Sequence, residues 1–284
     1  MRYKITLSYD GAPFCGWQRQ PDAPSVQEAL ETALQTLLGE PAPVTGAGRT
    51  DTGVSAVGYV AHFDAPNELN AAHIACKLNA ILPASIAILK LEPAAPDFHA
   101  RFDARKRTYT YFLHRCKDPF LAERSYFYGY PEVDFEAMNK AAAMLVGTHD
   151  FSCFQKVGSD NKTTVCTVFE AGWQPYVPAI GAAPPRNRLA SLDPTADAVP
   201  PLTVPRVARV SEGSAPIAPE YWYFRISADR FLRNMVRAIV GTLLDVGRGR
   251  RSLEDFAKLL EGGSRTQSGE SAPGHALFLT GIEY

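Results

Sequence analysis

The chain has 284 residues, of which 46% are hydrophobic and 21% are charged, as in ordinary soluble globular proteins. Its 29 basic and 30 acidic residues leave a formal charge of −1. The net charge therefore cannot attract nucleic acid, and any such binding must come from local basic clusters. No apolar run is long enough to span a bilayer, and the amino-terminal residues lack the apolar core of a signal peptide. We therefore expect a cytoplasmic protein with no membrane association and with two modest domains.

The five cysteines are scattered, with no C-x-x-C pair and no histidine at ligand spacing beside them. They are Cys15, Cys76, Cys116, Cys153 and Cys166. We expect free thiols in a reducing compartment, and no structural zinc or other metal site.

The first part of the chain alternates strand and helix patterns. Predicted strands cover residues 2–9, 57–63 and 86–91, and predicted helices cover about 25–38 and 70–81. Ser25 is the expected N-cap of the first helix, and Glu28, three residues later, is its expected capping-box partner. This order of elements predicts an α+β sheet with helices on one face.

The second part continues with both kinds of element. Predicted strands cover residues 102–115, 163–173 and 221–227, and predicted helices cover about 134–145 and 231–246. Because side chains alternate along a strand, Arg107, Tyr109 and Tyr111 share one face of the first of these strands. Arg230, Arg233 and Arg237 would form one stripe near the start of the last helix.

A proline-rich segment separates two of these strands. Ten prolines lie between residues 175 and 219, and they interrupt any regular pattern there. We interpret this segment as a surface insertion or a partly disordered hairpin extension. The expected domains are residues 1–105 and residues 106–284, with the insertion inside the second.

A glycine-rich loop precedes the predicted strand 57–63. Between Gly46 and Ala56, three glycines bracket Arg49 and Asp51, and glycine lets a ligand approach the main chain closely. An aspartate in such a loop is often only a turn former that accepts hydrogen bonds from nearby backbone N–H groups. Local composition leaves both the structural and the catalytic interpretation open.

Seven short segments in a fixed order resemble the tRNA pseudouridine synthase A family. They are Tyr9–Gln20, Gly48–Val54, Leu78–Pro83, Phe98–Arg101, Arg107–Tyr111, Phe231–Arg237 and Ser271–Gly274. Two motifs differ from their usual forms, with Ser55 in place of a histidine in the first and Ala276 in place of a glycine in the second. We hypothesise that Ser55 weakens or reroutes one RNA contact without stopping the chemistry.

The resemblance implies the fold and the reaction. The fold would be that of pseudouridine synthases: a mixed, largely antiparallel sheet with helices packed on one face, in two similar halves that are each ferredoxin-like or RNA-recognition-like. The reaction would be isomerisation of uridines 38 to 40 in the tRNA anticodon stem-loop to pseudouridine. It would need no cofactor, and the enzyme would be a homodimer.

The resemblance also implies roles for individual residues. Asp51 would be the nucleophile, Arg237 would pair with its charge, and Tyr109 would stack on the flipped-out uracil and serve as a base at C5. Whether the carboxylate attacks the base or supports deprotonation of the ribose is left open. The remaining predicted substrate contacts, besides Tyr109, are Arg49, Asn79 and Arg107.

Local basic clusters supply candidate contacts to the RNA backbone, although such clusters are often only solvated surface. They are Arg101 with Arg105, Lys106 and Arg107; Arg225 with Arg230, Arg233 and Arg237; and Arg248 with Arg250 and Arg251.

Two other functions fit part of the pattern. A non-catalytic RNA-binding module with a ferredoxin-like sheet would explain the strand aromatics and the basic clusters. It would not explain why Asp51 is flanked by glycines. A hydrolase of glycosidic bonds would need a second carboxylate beside Asp51, and no partner stands out in the sequence.

Overall fold

The computed structural model describes residues 1–159, 162–178 and 220–284. Ten strands lie within these ranges: β1 (Arg2–Tyr9), β2 (Thr45–Gly46), β3 (Ser55–Asp64), β4 (Ile86–Pro93), β5 (Lys106–His114), β6 (Tyr126–Phe127), β7 (Gly147–Asp150), β8 (Val165–Pro175), β9 (Tyr221–Ala228) and β10 (Leu277–Glu283). The α-helices in the same ranges are α1 (Val26–Leu38), α2 (Ala71–Ile81), α3 (Phe135–Met144), α4 (Met235–Gly247) and α5 (Leu253–Lys258). Apart from 175–178, the insertion predicted at 175–219 lies outside the described residues.

All ten strands belong to one sheet. Its order is β4-β1-β3-β10-β5-β9-β8-β7, with β2 paired to β3 and β6 paired to β5. The pairs β3–β10 and β5–β6 are parallel and the others are antiparallel, so the predicted α+β class with a mixed, mostly antiparallel sheet is confirmed. The last strand of the chain lies between β3 and β5, and it therefore joins the early strands to the later ones.

Every second side chain of β1 is buried, as the alternation of apolar and polar residues predicts. Tyr3, Ile5, Leu7 and Tyr9 are buried in the same core as the inward side chains of α1, while the residues between them are partly exposed. Burial of apolar surface on this scale is the main stabilising contribution to such a layer.

The N-cap of α1 forms only half of the predicted capping box. Ser25 Oγ accepts a hydrogen bond from the backbone N–H of Glu28 at 3.3 Å, as expected for an N-cap. The Glu28 carboxylate lies 3.6 Å from Nε of Arg19 and does not return to Ser25 within the described contacts. The side chain of Arg19 therefore competes with Ser25 for the Glu28 carboxylate, and the spacing of residues 25 and 28 does not reveal this competition.

The start of α4 differs from the prediction. The sequence pattern predicts a helix from about Phe231, but α4 begins at Met235. Asn234 adopts a left-handed conformation with φ of 67°, which an α-helix cannot contain. Nδ2 of Asn234 donates to Ser271 Oγ at 2.6 Å, which holds this turn. Arg233 therefore lies in the turn before the helix, and the predicted helical stripe of three arginines is wrong.

Several tyrosines are buried in the sheet, and their ionisation is expected to limit stability at alkaline pH. Burial raises the pKa of Tyr9, Tyr59, Tyr109 and Tyr111 on the strands, and of the half-buried Tyr284 after β10, well above the ordinary value of about 10. Above about pH 10 the unfolded chain loses these protons while the folded chain keeps them, so the stability present below that pH falls as pH rises. Each group contributes a slope of up to about 1.4 kcal/mol per pH unit.

Urea unfolding at about pH 8, 10 and 11 tests this expectation. Tyr111→Phe is the matched variant, since the Tyr111 hydroxyl is buried and has no hydrogen-bond partner among the described residues. It should retain stability near pH 8 and show a shallower alkaline decline. An unchanged free energy of unfolding between pH 8 and 11 in the native chain would refute the account.

Within the described ranges, no helix is both long enough and apolar enough to cross a membrane. The five cysteines are free thiols.

Candidate active site

The glycine-rich loop between β2 and β3 rests on a base of buried aromatic rings. The rings of Trp17 and Tyr59 lie 4.2 Å apart, and Tyr9 packs against both. The hydroxyl of Tyr9 lies 2.9 Å from Thr50 Oγ1, and that of Tyr59 accepts from the N–H of Gly48 and donates to its carbonyl. These bonds fix the loop on the sheet immediately before Asp51.

The amino-terminal motif closes the loop from the other side. The N–H of Gly11 donates to Ser55 Oγ at 3.0 Å, and Ser55 is 4% exposed. A Cβ on Gly11 would lie 2.2 Å from the carbonyl oxygen of Val54, so only glycine permits this approach. Ser55 therefore has a structural partner, and its hypothesised influence on RNA binding stays a prediction.

Gly16 is a second point of close approach, and its substitution is expected to destabilise the protein. Its φ is +97°, and a Cβ there would lie 2.3 Å from the carbonyl oxygen of Thr50. Gly16→Ala should lower the free energy of unfolding by about 1–3 kcal/mol through strain and overpacking. Gly48→Ala is the control, since its Cβ would have no neighbour nearer than 3.8 Å. Urea unfolding should show a larger loss for Gly16→Ala, and equal losses would contradict this.

Asp51 faces two arginines. Nη1 of Arg237 lies 3.6 Å from Asp51 Oδ2, and Nε of Arg233 lies 3.9 Å from Oδ1. Both separations exceed hydrogen-bond length, so the attraction is between charges across a narrow gap. The side chains of Asp51 and Arg237 are 25% and 23% exposed, whereas that of Arg233 is 59% exposed. Arg237 is therefore the better-shielded partner, and the contact of Arg233 was not foreseen from the sequence.

The segment 270–274 holds Arg237 in this position. Arg237 Nε donates to the carbonyl of Ala272 at 2.7 Å, and the N–H of Ala272 donates to the carbonyl of Arg237 at 3.0 Å. A Cβ on Gly241 would lie 1.7 Å from the carbonyl oxygen of Glu270, so α4 packs directly on this segment. At its other end, a Cβ on Gly274 would lie 2.4 Å from the Thr52 carbonyl oxygen. The same short segment thus contacts the helix of Arg237 and the loop of Asp51.

Tyr109 lies on β5 and is 9% exposed. Its ring meets that of Phe231 edge to face, with centroids 5.0 Å apart. Burial raises the pKa of its phenol, the negative charge of Asp51 raises it further, and Arg107 acts in the opposite direction. The phenol is therefore neutral at physiological pH, and it must lose its proton before it can act as a base.

The structure separates the other predicted contacts. Arg49 is exposed, and its Nε donates to Gln18 Oε1 at 3.3 Å. Asn79 lies on α2, where its amide exchanges two hydrogen bonds with the main chain of Ile88 on the edge strand β4. Arg107 donates to main-chain carbonyls. Asp51, Arg237 and Tyr109 are thus brought together, Arg49 lies on the same loop, and Asn79 is not among the contacts of Asp51.

The side chains around Asp51 limit the chemistry. Its described ionic partners are Arg233 and Arg237, and its negative charge also acts on the phenol of Tyr109. In the part of the chain that the structure describes, no three His, Cys, Asp or Glu side chains are grouped closely enough to hold a metal ion. A single carboxylate with fixed positive partners is suited to act as a nucleophile or base.

Comparisons with known proteins identify relatives along the whole chain. A family model described as tRNA pseudouridine synthase matches residues 5–103 and 141–284. The chain is 42% identical over 285 residues to tRNA pseudouridine synthase A of Porphyromonas gingivalis, covering all of this chain and 97% of that protein. It is 43% identical over 284 residues to the enzyme of the same name from Bacteroides thetaiotaomicron, covering all of the chain and 90% of the relative. The corresponding protein of Bacillus subtilis is 37% identical over 287 residues, covering 100% and 99%.

Proposed function

We propose the following chemistry for this site, since the chain belongs to the tRNA pseudouridine synthase A family. The protein isomerises uridines of the tRNA anticodon stem-loop to pseudouridine. The observation that carries the proposal for individual residues is the ion pair between Asp51 and Arg237 beside the buried Tyr109. The target uridines are those at tRNA positions 38 to 40.

The reaction breaks the N-glycosidic bond of uridine, turns the base and rejoins it to the ribose through C5. The proton on C5 is lost and one is gained at N1, so atoms balance without a consumed cofactor. Ionised Asp51 starts the reaction, either by adding to the uracil or by supporting deprotonation of the ribose. Arg237 orients the Asp51 carboxylate by charge attraction, and Tyr109 accepts the C5 proton once its phenol has lost its own proton.

A base inside a stem cannot reach Asp51, so the uridine must be flipped out of its stack. We propose that the uracil then lies against the ring of Tyr109, which Phe231 supports edge to face at 5.0 Å. Arg49 lies on the same loop as Asp51 and its side chain is exposed. We propose that it contacts the RNA phosphate backbone beside the flipped-out uridine.

Arg49→Gln is expected to weaken tRNA binding, because it removes one charge that can contact phosphate. The slope of log K against log salt should become shallower by about 1. Arg19→Gln is the control: Arg19 is also an exposed arginine, but it pairs with Glu28 and Glu31 at 3.6 and 3.5 Å. Filter binding over a range of salt concentrations measures both. Identical slopes for the two variants would remove Arg49 from the RNA interface.

The overall organisation is part of the same proposal. Among the described residues, the range 1–105 contains β1–β4 with α1 and α2, and the range 106–284 contains β5–β10 with α3, α4 and α5. Because each range contains at least four strands and two helices, this content supports two related ferredoxin-like halves with helices on one face, each within its own domain. We propose a cytoplasmic homodimer that binds tRNA.

Tritium release from tRNA labelled with [5-³H]uridine tests the function. The expected result is release into water from the anticodon stem-loop, with the base retained in the RNA. Binding without release would indicate an RNA-binding module, and free uracil would indicate a hydrolase.

A further inference from the structure

The guanidinium of Arg107 binds only main-chain carbonyls in the described structure. Nε and Nη2 donate to the carbonyl of Ala47 at 3.3 and 2.9 Å, and Nη2 also donates to that of Arg101 at 2.7 Å. Nη1 donates to the carbonyls of Ala104 and Asp229 at 3.3 and 3.0 Å. All three nitrogens of the partly buried group are therefore engaged.

These four carbonyls belong to segments that meet around the site. Ala47 lies in the loop that carries Asp51, four residues before it, and Asp229 is the first residue of the link from β9 to α4. Asp229 is itself fixed, because its Oδ1 accepts from the N–H groups of Thr167 at 2.9 Å and Arg230 at 2.7 Å. One side chain thus ties the catalytic loop to the segment that leads into the helix of Arg237.

Only arginine suits this position. Its planar fork carries five N–H donors in fixed directions, whereas a lysine ammonium places three donors on one atom. No carboxylate lies within ion-pair distance of Arg107 among the described residues, so carbonyl dipoles alone offset its charge. A phosphate would have to displace these carbonyls to bind it.

We propose that Arg107 is a positioning residue, which holds the loop 47–53 against the approach to α4 so that Asp51 faces Arg237, and that it does not bind RNA. The inference rests on the proposed function for the role of Asp51. It differs from the substrate contact that the sequence suggested for Arg107.

Arg107→Lys is the test variant, because it keeps the positive charge on a slightly shorter side chain whose single ammonium cannot reach four carbonyls. Arg2→Lys is the matched control: Arg2 is also on a strand and donates to a main-chain carbonyl, that of Phe98 at 2.9 Å, but it pairs with Asp64 at the far end of β3. Arg107→Ala is a second variant. If it does not fold, the exchange and rate measurements on Arg107→Lys still test the proposal.

Hydrogen exchange of the backbone amides of residues 48–53, measured by mass spectrometry without RNA, is the first readout. Exchange should accelerate by at least about 10-fold in Arg107→Lys and stay unchanged in Arg2→Lys. In single-turnover assays the rate of Arg107→Lys should fall by about 10- to 100-fold, while tRNA affinity and its salt slope stay as in the native chain.

Two results would overturn the proposal. The first is unchanged exchange of the loop in Arg107→Lys. The second is a loss of tRNA affinity with an intact rate in Arg107→Ala or Arg107→Lys, accompanied by a shallower salt slope in Arg107→Ala, which removes the charge; this would identify a phosphate contact. If the native protein formed no pseudouridine, the proposed function would fail, but the exchange measurement would still decide whether Arg107 holds the loop.

Discussion

Asp51→Asn is expected to lower the rate of pseudouridine formation by about 10⁴-fold or more, as loss of an essential nucleophile or base does in other enzymes. The amide has nearly the shape of the carboxylate, but it is neutral and neither attacks nor accepts a proton readily. The loop should keep its place, because its hydrogen bonds run through Tyr9, Tyr59 and Gly11 and not through this side chain. Tritium release and filter binding on the same preparations measure rate and affinity, and tRNA affinity should stay within about threefold.

Asp64→Asn is the control for this variant. Asp64 lies at the opposite end of β3 and also pairs with an arginine, with its Oδ2 2.8 Å from Nη2 of Arg2. Its substitution removes the same charge and should leave the rate within about threefold of the native value. A similar loss of rate in both variants would mean that general destabilisation, and not the chemistry at Asp51, explains the effect.

Arg237→Gln is expected to give the second largest loss, about 10²- to 10³-fold in rate, because Asp51 loses its better-shielded positive partner. Arg233 cannot replace it fully, since an exposed charge at 3.9 Å is screened by solvent and salt. The rate of Arg237→Lys should lie between those of Arg237→Gln and the native chain, because lysine retains the charge but loses the Nε–H donated to the Ala272 carbonyl. Single-turnover rates at saturating tRNA measure the effect on the chemical step.

Arg233→Gln is the matched variant on the other oxygen of Asp51, and its rate should fall by less than about 10-fold. A larger loss for Arg233→Gln than for Arg237→Gln would contradict the assignment of Arg237 as the main partner. Thermal unfolding of both proteins separates a loss of stability from a loss of rate.

The sequence predicted the class of sheet and most elements, because these depend on local patterns. Alternation in β1 and the Ser25 N-cap are visible in the residues themselves, and both form as expected. The resemblance named Asp51, Arg237 and Tyr109, which the structure places together, while their roles stay predictions that the variants test.

Other features depend on distant parts of the chain, which local patterns do not contain. The late start of α4 follows from one left-handed Asn234 held by Ser271, 37 residues away. The carbonyl contacts of Arg107 join segments up to 122 residues apart. The amide of Asn79 supports an edge strand instead of the site. No periodicity or short motif reports such pairings.

Mapping pseudouridine in the anticodon stem-loop after incubation with the native chain and with Asp51→Asn shows whether Asp51 carries out the isomerisation. Carbodiimide modification followed by primer extension locates each pseudouridine in the product RNA. We expect pseudouridine at positions 38 to 40 with the native chain and none with Asp51→Asn, although both proteins bind the RNA. Equal product from the two proteins would contradict the assignment of the reaction to Asp51.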